Sequence, residues 1–384
     1  MKKIGIITHY HKSHNYGGIL QAYALSRYLN ESGFSAEQIS YHLSSPAVSG
    51  ESLKVRIKRL KDPKHLYNAI AVRIGAQIDK MIRSKIKTRH EALERFATKE
   101  IPHSEQVYTK QTISECQIYD AYITGSDQVW NPDWYHSAFF LDFVSEGKPN
   151  IAYAARLGKS ELTQEQQRLY QEKLSDFTAI SVREQDAVDV LQPISPVDVE
   201  WVLDPTLLLT RKQWDDVASE RLIPGQYIFT YFLGEDKQAR KLVSKFAKKR
   251  GLRIVTLPYL LDKVCMCDVC FGDEKLYQVS PADFLSLIKY ADYVFTDSFH
   301  ATLFSHVYER EVVVFQRMGR PGMSGRIYSL MSLFHSTDHF CDCEDKRTMR
   351  YIEGLGEINY SSQRVELNRM RNRSVAFLRD NLVG

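Results

Sequence analysis

The chain contains 384 residues, 43% of them hydrophobic and 26% charged, and its formal net charge is +4. This composition is that of a globular protein, and the length exceeds what one ordinary core holds, which predicts two domains. Apolar runs are too short to span a bilayer, which excludes a transmembrane protein. The small positive charge gives no reason to expect a nucleic-acid partner and suits an anionic substrate, such as a phosphate ester or a nucleotide.

The first forty residues predict a βαβ unit and therefore a parallel sheet. The run from Lys3 to Thr8 predicts a strand, and a helix opens at Gly17 with apolar residues at helical spacing. Gly33 is placed to end that helix, and residues 35–41 predict the second strand. The first apolar run is too short for a signal peptide, so we expect a cytosolic protein.

Residues 54–89 form a strongly basic segment, with twelve lysines and arginines against two aspartates. Interleaved apolar residues indicate helices. Two interpretations remain open: a solvated helical surface, or a patch that contacts anionic lipid at the inner membrane surface, where a lipid-linked substrate would lie.

Strand and helix signals then alternate, as in α/β domains. We expect an N-terminal Rossmann-like domain over 1–209, a C-terminal one over 210–345, and a tail and helix over 346–384 that packs back on the first domain. Ligands of such domains bind at the carboxyl ends of strands, here in the cleft between the domains. The later strands are predicted at 121–124, 150–154, 179–182, 201–203, 227–233, 253–257, 293–296 and 312–315, and the later helices at 237–250, 281–289, 300–308 and 363–382.

Asn15, Gly17 and Gly18 lie between the first strand and the first helix. Free amide groups and the helix dipole at such a place attract an anion, and glycine permits close approach of a ligand. A tight turn also needs glycine, so the spacing alone leaves both interpretations open.

The segment 125–131, GSDQVWN, is a second loop after a strand. Polar side chains beside Trp130 are typical of a sugar-binding surface, on which a pyranose stacks against an aromatic ring. The alternative is an Asx turn with a packed indole. Asp127 is the candidate functional carboxylate of this loop.

Arg183 and His300 follow strands of the two different domains. An arginine at the carboxyl end of a strand can bind a carboxylate or phosphate through two nitrogens, although a structural pair with Glu184 is the alternative. His300 lies at a switch from strand to helix, where an imidazole could transfer a proton near neutral pH. Asp297 or Ser298 could cap that helix.

Residues 323–327, MSGRI, read as a glycine-rich loop. Arg317, Arg320 and Arg326 concentrate positive charge around it, which is consistent with phosphate binding or with a solvated loop.

The six cysteines crowd into short stretches, and reduced thiols or a metal are expected rather than a disulfide framework. Cys267 and Cys270 have the two-residue gap of many zinc sites, whereas Cys341 and Cys343 have a one-residue gap. We favour reduced or redox-active thiols over a structural metal.

The ordered set of motifs resembles the polysaccharide pyruvyl transferase family. The resemblance runs through NYGG at 15–18, GSDQVWN at 125–131, SVRE at 181–184, LDPTLL at 203–208, ADY at 291–293 up to His300, and SGRI at 324–327. It implies a GT-B-like fold of two domains facing across a cleft. It also implies transfer of the pyruvyl group of phosphoenolpyruvate to two hydroxyls of a sugar such as galactose, in the synthesis of a surface polysaccharide.

The resemblance also assigns roles to residues. It implies that His300 is catalytic and that Arg183 binds the donor. Family members tend to carry arginine where this chain has Ser298, and a Ser-Phe-Gly run near Arg156. We expect Arg326 to supply the missing charge, with Arg320 as the second candidate. The remaining predicted donor-binding residues are Ser298, Phe299, Gly17 and Gly18, and the predicted acceptor-binding residues are Asn15, Gln128 and Trp130.

In the chemistry that this implies, His300 protonates the donor and Asp127 orients or deprotonates the acceptor. The scheme requires no metal and no cofactor, and the expected acceptor is a sugar, lipid-linked in one version. A glycosyltransferase with the same architecture that uses a nucleotide sugar is the main alternative. A non-catalytic carbohydrate-binding protein is the third possibility.

Overall fold

The computed structural model of the chain describes residues 1–43, 84–259, 266–317 and 321–383. Most of the basic segment 54–89 lies outside these ranges, as do Cys265 and Arg320. The lipid-contact interpretation of that segment therefore stays a prediction. None of the helices in the described ranges is long and apolar enough to cross a membrane.

The first domain is built on a parallel sheet that contains seven strands within the described residues. Their order is β3-β2-β1-β4-β5-β6-β7. Strands β2 and β3 are added on one side of β1 and strands β4 to β7 on the other, so the topological switch point lies between β1 and β4. Such a switch point opens a crevice at the carboxyl ends of the two strands. The strands are β1 (Lys3–Ile7), β2 (Ser35–Tyr41), β3 (His103–Tyr108), β4 (Ala121–Thr124), β5 (Asn150–Ala155), β6 (Ala179–Val182) and β7 (Val199–Trp201).

The second domain repeats this plan with a parallel sheet of six strands in the described ranges. Their order is β10-β9-β8-β11-β12-β13, with the switch point between β8 and β11. Buried, β-branched and aromatic side chains dominate the central strands, as expected for a sheet covered on both faces. The strands are β8 (Tyr227–Tyr231), β9 (Arg253–Thr256), β10 (Glu274–Lys275), β11 (Tyr293–Thr296), β12 (Glu311–Phe315) and β13 (Phe340–Cys341).

Helices cover both sheets, and their ends carry recognisable signals. Asn15 caps the first helix by accepting a hydrogen bond from the Gly17 amide, and Gly33 follows its end with a left-handed φ of 91°. The helices are α1 (Tyr16–Glu31), α2 (residues 84–100), α3 (Gln164–Lys173), α4 (Asp186–Leu191), α5 (Arg211–Asp215), α6 (Lys237–Arg250), α7 (Met266–Val269), α8 (Pro281–Lys289), α9 (Phe299–Val307), α10 (Pro321–Leu333), α11 (Thr348–Glu353) and α12 (Tyr360–Val383).

The last helix, α12, packs against the first domain. Phe377, Leu378 and Leu382 are buried in one cluster with the β1 residues Ile4 and Ile6. The hydroxyl of Ser374, also on α12, accepts a hydrogen bond of 2.9 Å from the Leu203 amide. The chain thus crosses to the second domain and returns.

The two domains share apolar packing around α1. Tyr16 stacks on Phe284 of the second domain with 4.8 Å between ring centroids, and its hydroxyl donates to the Val279 carbonyl. Arg89 of α2 donates to three second-domain carbonyls, at Pro258, Leu276 and Tyr277. These contacts fix the N-terminus of α1 against the second domain, where the predicted cleft lies.

Most predicted strands and helices in the described ranges are confirmed within three residues. Two predictions differ, and β3 is among the elements that the sequence does not predict. Residues 323–327 lie in α10, so the predicted glycine-rich loop is wrong: Ile327, Leu330 and Met331 recur at helical spacing and are buried. The strand predicted at 201–203 ends at Trp201 instead, because the Leu203 amide bonds to Ser374. Strand β3 was not predicted, since its polar residues hide the pattern.

Candidate active site

The switch points of the two sheets carry the candidate catalytic residues. Asp127 follows β4 in the first domain, and His300 follows β11 in the second. A crevice between the domains is lined by residues of both, among them Arg183, Asp204, Phe299 and Arg326. Residues that follow strands of both sheets therefore line one crevice, as the sequence predicts.

His300 is the second residue of α9 and is only 8% exposed. Its Nε2 atom lies 3.8 Å from Asp204 Oδ2 and has no hydrogen-bond partner among the described residues. Burial lowers the pKa of His300 to about 4, because the favourable Asp204 carboxylate is offset by Arg183 and Arg326. With these residues alone around it, the imidazole is neutral at pH 7.

Gly17 contacts His300 from the first domain. A Cβ atom at Gly17 would lie 1.9 Å from His300 Nδ1, a separation that real atoms do not reach. The glycine is therefore required so that the first turn of α1 can approach the imidazole ring. Gly18 is also tightly placed, since a Cβ there would lie 3.1 Å from the His9 carbonyl and 3.6 Å from Asp127 Oδ2.

Arg183 directly follows β6 of the first sheet and is linked to His300 through Asp204. Its Nη1 donates to Asp204 Oδ2 at 2.7 Å, its Nε lies 3.2 Å from Glu184 Oε1, and its guanidinium carbon is 4.6 Å from the centroid of the Phe299 ring. Burial opposes its charge, but Glu184 and Asp204 outweigh that effect and hold its pKa above the ordinary value. Nη2 has no hydrogen-bond acceptor among the described residues.

Two further arginines come close to Arg183. Arg326 on α10 lies 5.6 Å from the Phe299 ring centroid, and Arg156 follows β5 with its Nε 3.1 Å from Glu184 Oε1. Burial lowers the pKa of Arg326 well below its ordinary value, and repulsion from Arg156 and Arg183 lowers it further. Each of these three arginines keeps at least one buried side-chain nitrogen without a hydrogen-bond acceptor among the described residues.

Asp127 is held beside this cluster in a left-handed backbone conformation with φ of 67°. The preceding residue anchors the loop: the Ser126 amide donates to Gln21 Oε1 and its carbonyl accepts from the Thr8 hydroxyl. Burial alone would raise the pKa of the Asp127 carboxyl, but the charge of Arg183 holds it below its ordinary value. Asp127 is therefore an ionised carboxylate that can accept a hydrogen bond or a proton.

The predicted acceptor-binding residues have other partners. Trp130 is 0% exposed, its Nε1 donates to the Phe139 carbonyl at 3.1 Å, and its ring stacks on Phe140. A sugar cannot stack on a ring with no exposed face, so the prediction for Trp130 is wrong and its packed-indole alternative is confirmed. Asn15 is used as the cap of α1, and Gln128 Oε1 accepts from Asn131.

Ser298 and Phe299, which are predicted to bind the donor, make different contacts at the start of α9. Ser298 is the N-cap of α9, and its hydroxyl accepts from the Ala301 amide at 3.5 Å. The ring of Phe299 lies between the guanidinium groups of Arg183 and Arg326. These contacts order the pocket, and whether either residue touches a donor stays a prediction.

Three charged residues of this cluster are not among the site residues predicted from the sequence: Arg156, Glu184 and Asp204. Asp204 is 2% exposed and joins Arg183 to His300, while its Oδ1 accepts two hydrogen bonds from Thr206. A signal was available, because each of the three directly follows or nearly follows a strand of the parallel sheet. Charged residues at that edge face the crevice.

The described cysteines are all free thiols. Cys267 donates to the Glu235 carbonyl, and Cys343 lies 2.7 Å from Asp236 Oδ2. Among the described residues, the metal-ligating atoms that gather within 4.8 Å of one another belong to Asp236, Cys343 and Glu344. Cys267 and Cys270 do not join this group, so a four-cysteine zinc site is not formed there.

The fold and the crevice define a protein of the GT-B type. The structure is similar to the UDP-GlcNAc 2-epimerase of Neisseria meningitidis bound to UDP-GlcNAc, with a TM-score of 0.51, 11% identity and coverage of 98% and 99% of the two chains. The UDP-GlcNAc 2-epimerase of Methanocaldococcus jannaschii is similar with a TM-score of 0.51 and 11% identity, over 97% of this chain and 100% of the epimerase chain. An alpha-glucosyltransferase in complex with UDP is similar with a TM-score of 0.50 and 8% identity, over 99% of this chain and 96% of the other chain. At such low identity these similarities establish the fold alone.

The sequence gives a more specific assignment. The model of the polysaccharide pyruvyl transferase family matches residues 15–317, most of the chain. The chain therefore belongs to the polysaccharide pyruvyl transferase family, a family of transferases. No curated protein sequence matches this chain.

Proposed function

We propose that this protein transfers the pyruvyl group of phosphoenolpyruvate to two hydroxyls of one sugar, forming a ketal and releasing phosphate. The observation that carries the proposal is a group of three arginines close to His300, inside a chain of the pyruvyl transferase family. Arg156 and Arg183 are buried and Arg326 is half-buried. Phosphoenolpyruvate carries its phosphate and its carboxylate on one carbon, C2, so the two anionic groups lie close together. Arginines are suited to both groups because their planar guanidinium donates two parallel hydrogen bonds to paired oxygens.

Donor binding and protonation of His300 are coupled in this proposal. The charges of Arg183 and Arg326 disfavour the imidazolium, and Asp204 favours it. A donor that neutralises the two arginines removes the unfavourable charges and adds a favourable one, so the pKa of His300 rises from about 4 toward neutrality. His300 then becomes a general acid at the moment when the donor is present.

The reaction balances without a metal, an oxidant or a cofactor. His300 gives its proton to the methylene carbon of phosphoenolpyruvate, which leaves a cationic centre at C2. One sugar hydroxyl attacks C2, and Asp127, an ionised carboxylate, accepts its proton. Phosphate leaves with the electron pair of its C–O bond, stabilised by the arginines. The second hydroxyl then attacks C2 to close the ketal and gives its proton to the departing phosphate. Exchange of protons with water returns Asp127 to the ionised form and His300 to the protonated form.

A donor comparison tests the proposal. Purified protein is incubated with a nitrophenyl galactoside or a lipid-linked oligosaccharide and with either phosphoenolpyruvate or UDP-sugars. Phosphate release is measured together with the acceptor mass. We expect phosphate from phosphoenolpyruvate alone and an acceptor that gains one pyruvate less one water.

The nucleotide-sugar glycosyltransferase is the alternative, and the UDP named for several GT-B neighbours favours it. It predicts sugar transfer from a UDP-sugar and no phosphate from phosphoenolpyruvate in the same comparison. That result would replace the proposal.

A further inference from the structure

Arg156 occupies a fixed place beside the proposed catalytic carboxylate. It follows the last residue of β5, its amide donates to the Asp127 carbonyl at 3.0 Å, and its carbonyl accepts from the Trp130 amide at 3.2 Å. The backbone of Arg156 therefore cannot move away from the Asp127 loop without breaking both bonds. Its side chain is 3% exposed and is directed into the arginine cluster.

The side chain of Arg156 is only partly satisfied by the protein. Its Nε lies 3.1 Å from Glu184 Oε1, and Arg183 Nε lies 3.2 Å from the same oxygen. One carboxylate oxygen thus serves two guanidinium groups. The contact of Arg156 Nε with Glu184 is an ion pair, and both Nε and Nη1 of Arg156 are buried without a hydrogen-bond acceptor among the described residues.

Such an arrangement is unfavourable for folding alone. Burial lowers the pKa of Arg156, and Arg183 lowers it further against the attraction of Glu184. A buried charge with an unsatisfied donor costs free energy, and an apolar side chain of similar size at such a place is often neutral or stabilising. The fold therefore gives no reason for arginine at this position, whereas an anionic ligand does.

Buried donors without partners come together from three elements. Within this arginine cluster, the buried nitrogens that have no acceptor among the described residues are Arg156 Nε and Nη1 after β5, Arg183 Nη2 after β6, and Arg326 Nε on α10. The three used below, one from each arginine, are Arg156 Nη1, Arg183 Nη2 and Arg326 Nε. Arg156 and Arg183 both contact Glu184 Oε1. The guanidinium carbons of Arg183 and Arg326 lie 4.6 Å and 5.6 Å from the centroid of the Phe299 ring. Glu184 holds the first two guanidinium groups side by side, which leaves their outer nitrogens for a ligand.

We propose that Arg156 is a donor-binding residue whose Nη1 binds an anionic oxygen of the donor, together with Arg183 Nη2 and Arg326 Nε. Glu184 is the positioning residue that orients Arg156 and Arg183. The identity of the donor as phosphoenolpyruvate rests on the proposed function. The anion-binding role of Arg156 rests on the geometry alone and is tested with inorganic phosphate as well.

The test compares Arg156→Met with the wild type in binding and in stability. Methionine keeps the apolar length of the side chain and removes the donors. We expect the dissociation constants for phosphoenolpyruvate and inorganic phosphate, measured by calorimetry, to rise about 10- to 100-fold. We expect the melting temperature to stay equal or to increase, because a buried and poorly paired charge is removed. Arg168→Met, on the exposed surface of α3, is the matched control and should change neither.

The outcomes separate this inference from the proposed function. Weaker phosphate binding by Arg156→Met supports the inference even if phosphoenolpyruvate proves not to be the donor. Unchanged binding of both anions by the folded variant overturns it, as does a wild type that binds neither anion. A merely structural Arg156 would lower the melting temperature and leave the dissociation constants unchanged. If Arg156→Met does not fold, Arg156→Lys keeps a cation for Glu184 without Nη1, and unchanged binding there overturns the inference equally.

Discussion

The chemistry of His300 is set by its immediate neighbours rather than by the imidazole itself. Asp204 lies 3.8 Å from its Nε2, and Gly17 packs against its Nδ1 edge. Burial and two arginines hold its pKa to about 4, and Asp204 opposes them. The residue is therefore poised so that the charge of a ligand decides its protonation state.

Gly17→Ala should damage catalysis more than folding. The added Cβ overlaps His300 Nδ1, so either the ring or the start of α1 must shift by about 1 Å. A displacement of that size commonly costs about 100-fold in rate, and we expect such a loss in kcat for ketal formation. Gly356→Ala, where a Cβ meets nothing within 4 Å, is the control. A kcat within twofold of wild type for Gly17→Ala would show that the close contact is unimportant.

His306 predicts how stability depends on pH. It is buried, it contacts Gln363 and Ser336, and burial lowers its pKa to about 3. Its folded pKa lies below the ordinary value of 6.5, so the unfolded chain binds the proton more readily. Its contribution to stability is complete above pH 6.5 and is lost as the pH falls toward 3.

Between pH 7 and pH 5 this histidine alone should cost about 2 kcal/mol of unfolding free energy. In His306→Gln that share of the loss should disappear. Urea denaturation of both proteins at the two pH values measures it. An equal loss in both proteins would contradict the assignment of this pH dependence to His306.

At the residue scale, positions directly after strands predict which residues lie in the crevice between the domains. They do not predict which side chains those residues contact. His300, Arg183 and Asp127 lie together as the parallel-sheet pattern implies. Trp130 was misassigned because a one-dimensional pattern does not distinguish an exposed indole from one packed on Phe140. Asp204 was missed as a site residue because its link to His300 spans the two domains.

At the scale of elements, apolar runs made the central strands predictable. Strands β2, β4, β6 and β11 lie where the sequence places them. Helix α10 was read as a loop because Gly322 and Gly325 are weak helix formers, and tertiary burial of Ile327 and Met331 overrides that preference. The last helix, α12, packs against the first sheet and so ties the C-terminal segment to the N-terminal domain.

Phe377→Ala tests the packing of α12. Its ring is 4% exposed in the cluster with Ile4 and Ile6, so truncation should lower the unfolding free energy by about 3 to 5 kcal/mol. Val365→Ala, on the same helix at 74% exposure, should change it by less than about 0.5 kcal/mol. Chemical denaturation measures both variants. Equal stabilities would show that α12 is not held through this face.

At the scale of the whole molecule, the site exists because two Rossmann-like domains meet at their switch points. The packing of Tyr16 on Phe284 and the three hydrogen bonds of Arg89 hold the N-terminus of α1 against the second domain. The sequence predicted both domains, but not this contact, which depends on side chains far apart in the chain. The family assignment rests on a match over most of the chain, and the fold rests on the two parallel sheets. The proposed chemistry rests on the few residues that these two domains bring together.

Hydrogen incorporation into the product tests the proposed chemistry most directly. The reaction is run in D₂O with phosphoenolpyruvate, and the ketal methyl group is examined by mass spectrometry and NMR. Protonation of the methylene carbon by His300 predicts one solvent deuterium in each ketal methyl group, and no ketal above background from His300→Gln. A ketal formed by wild type without deuterium, or formed at the wild-type rate by His300→Gln, would contradict the role assigned to His300.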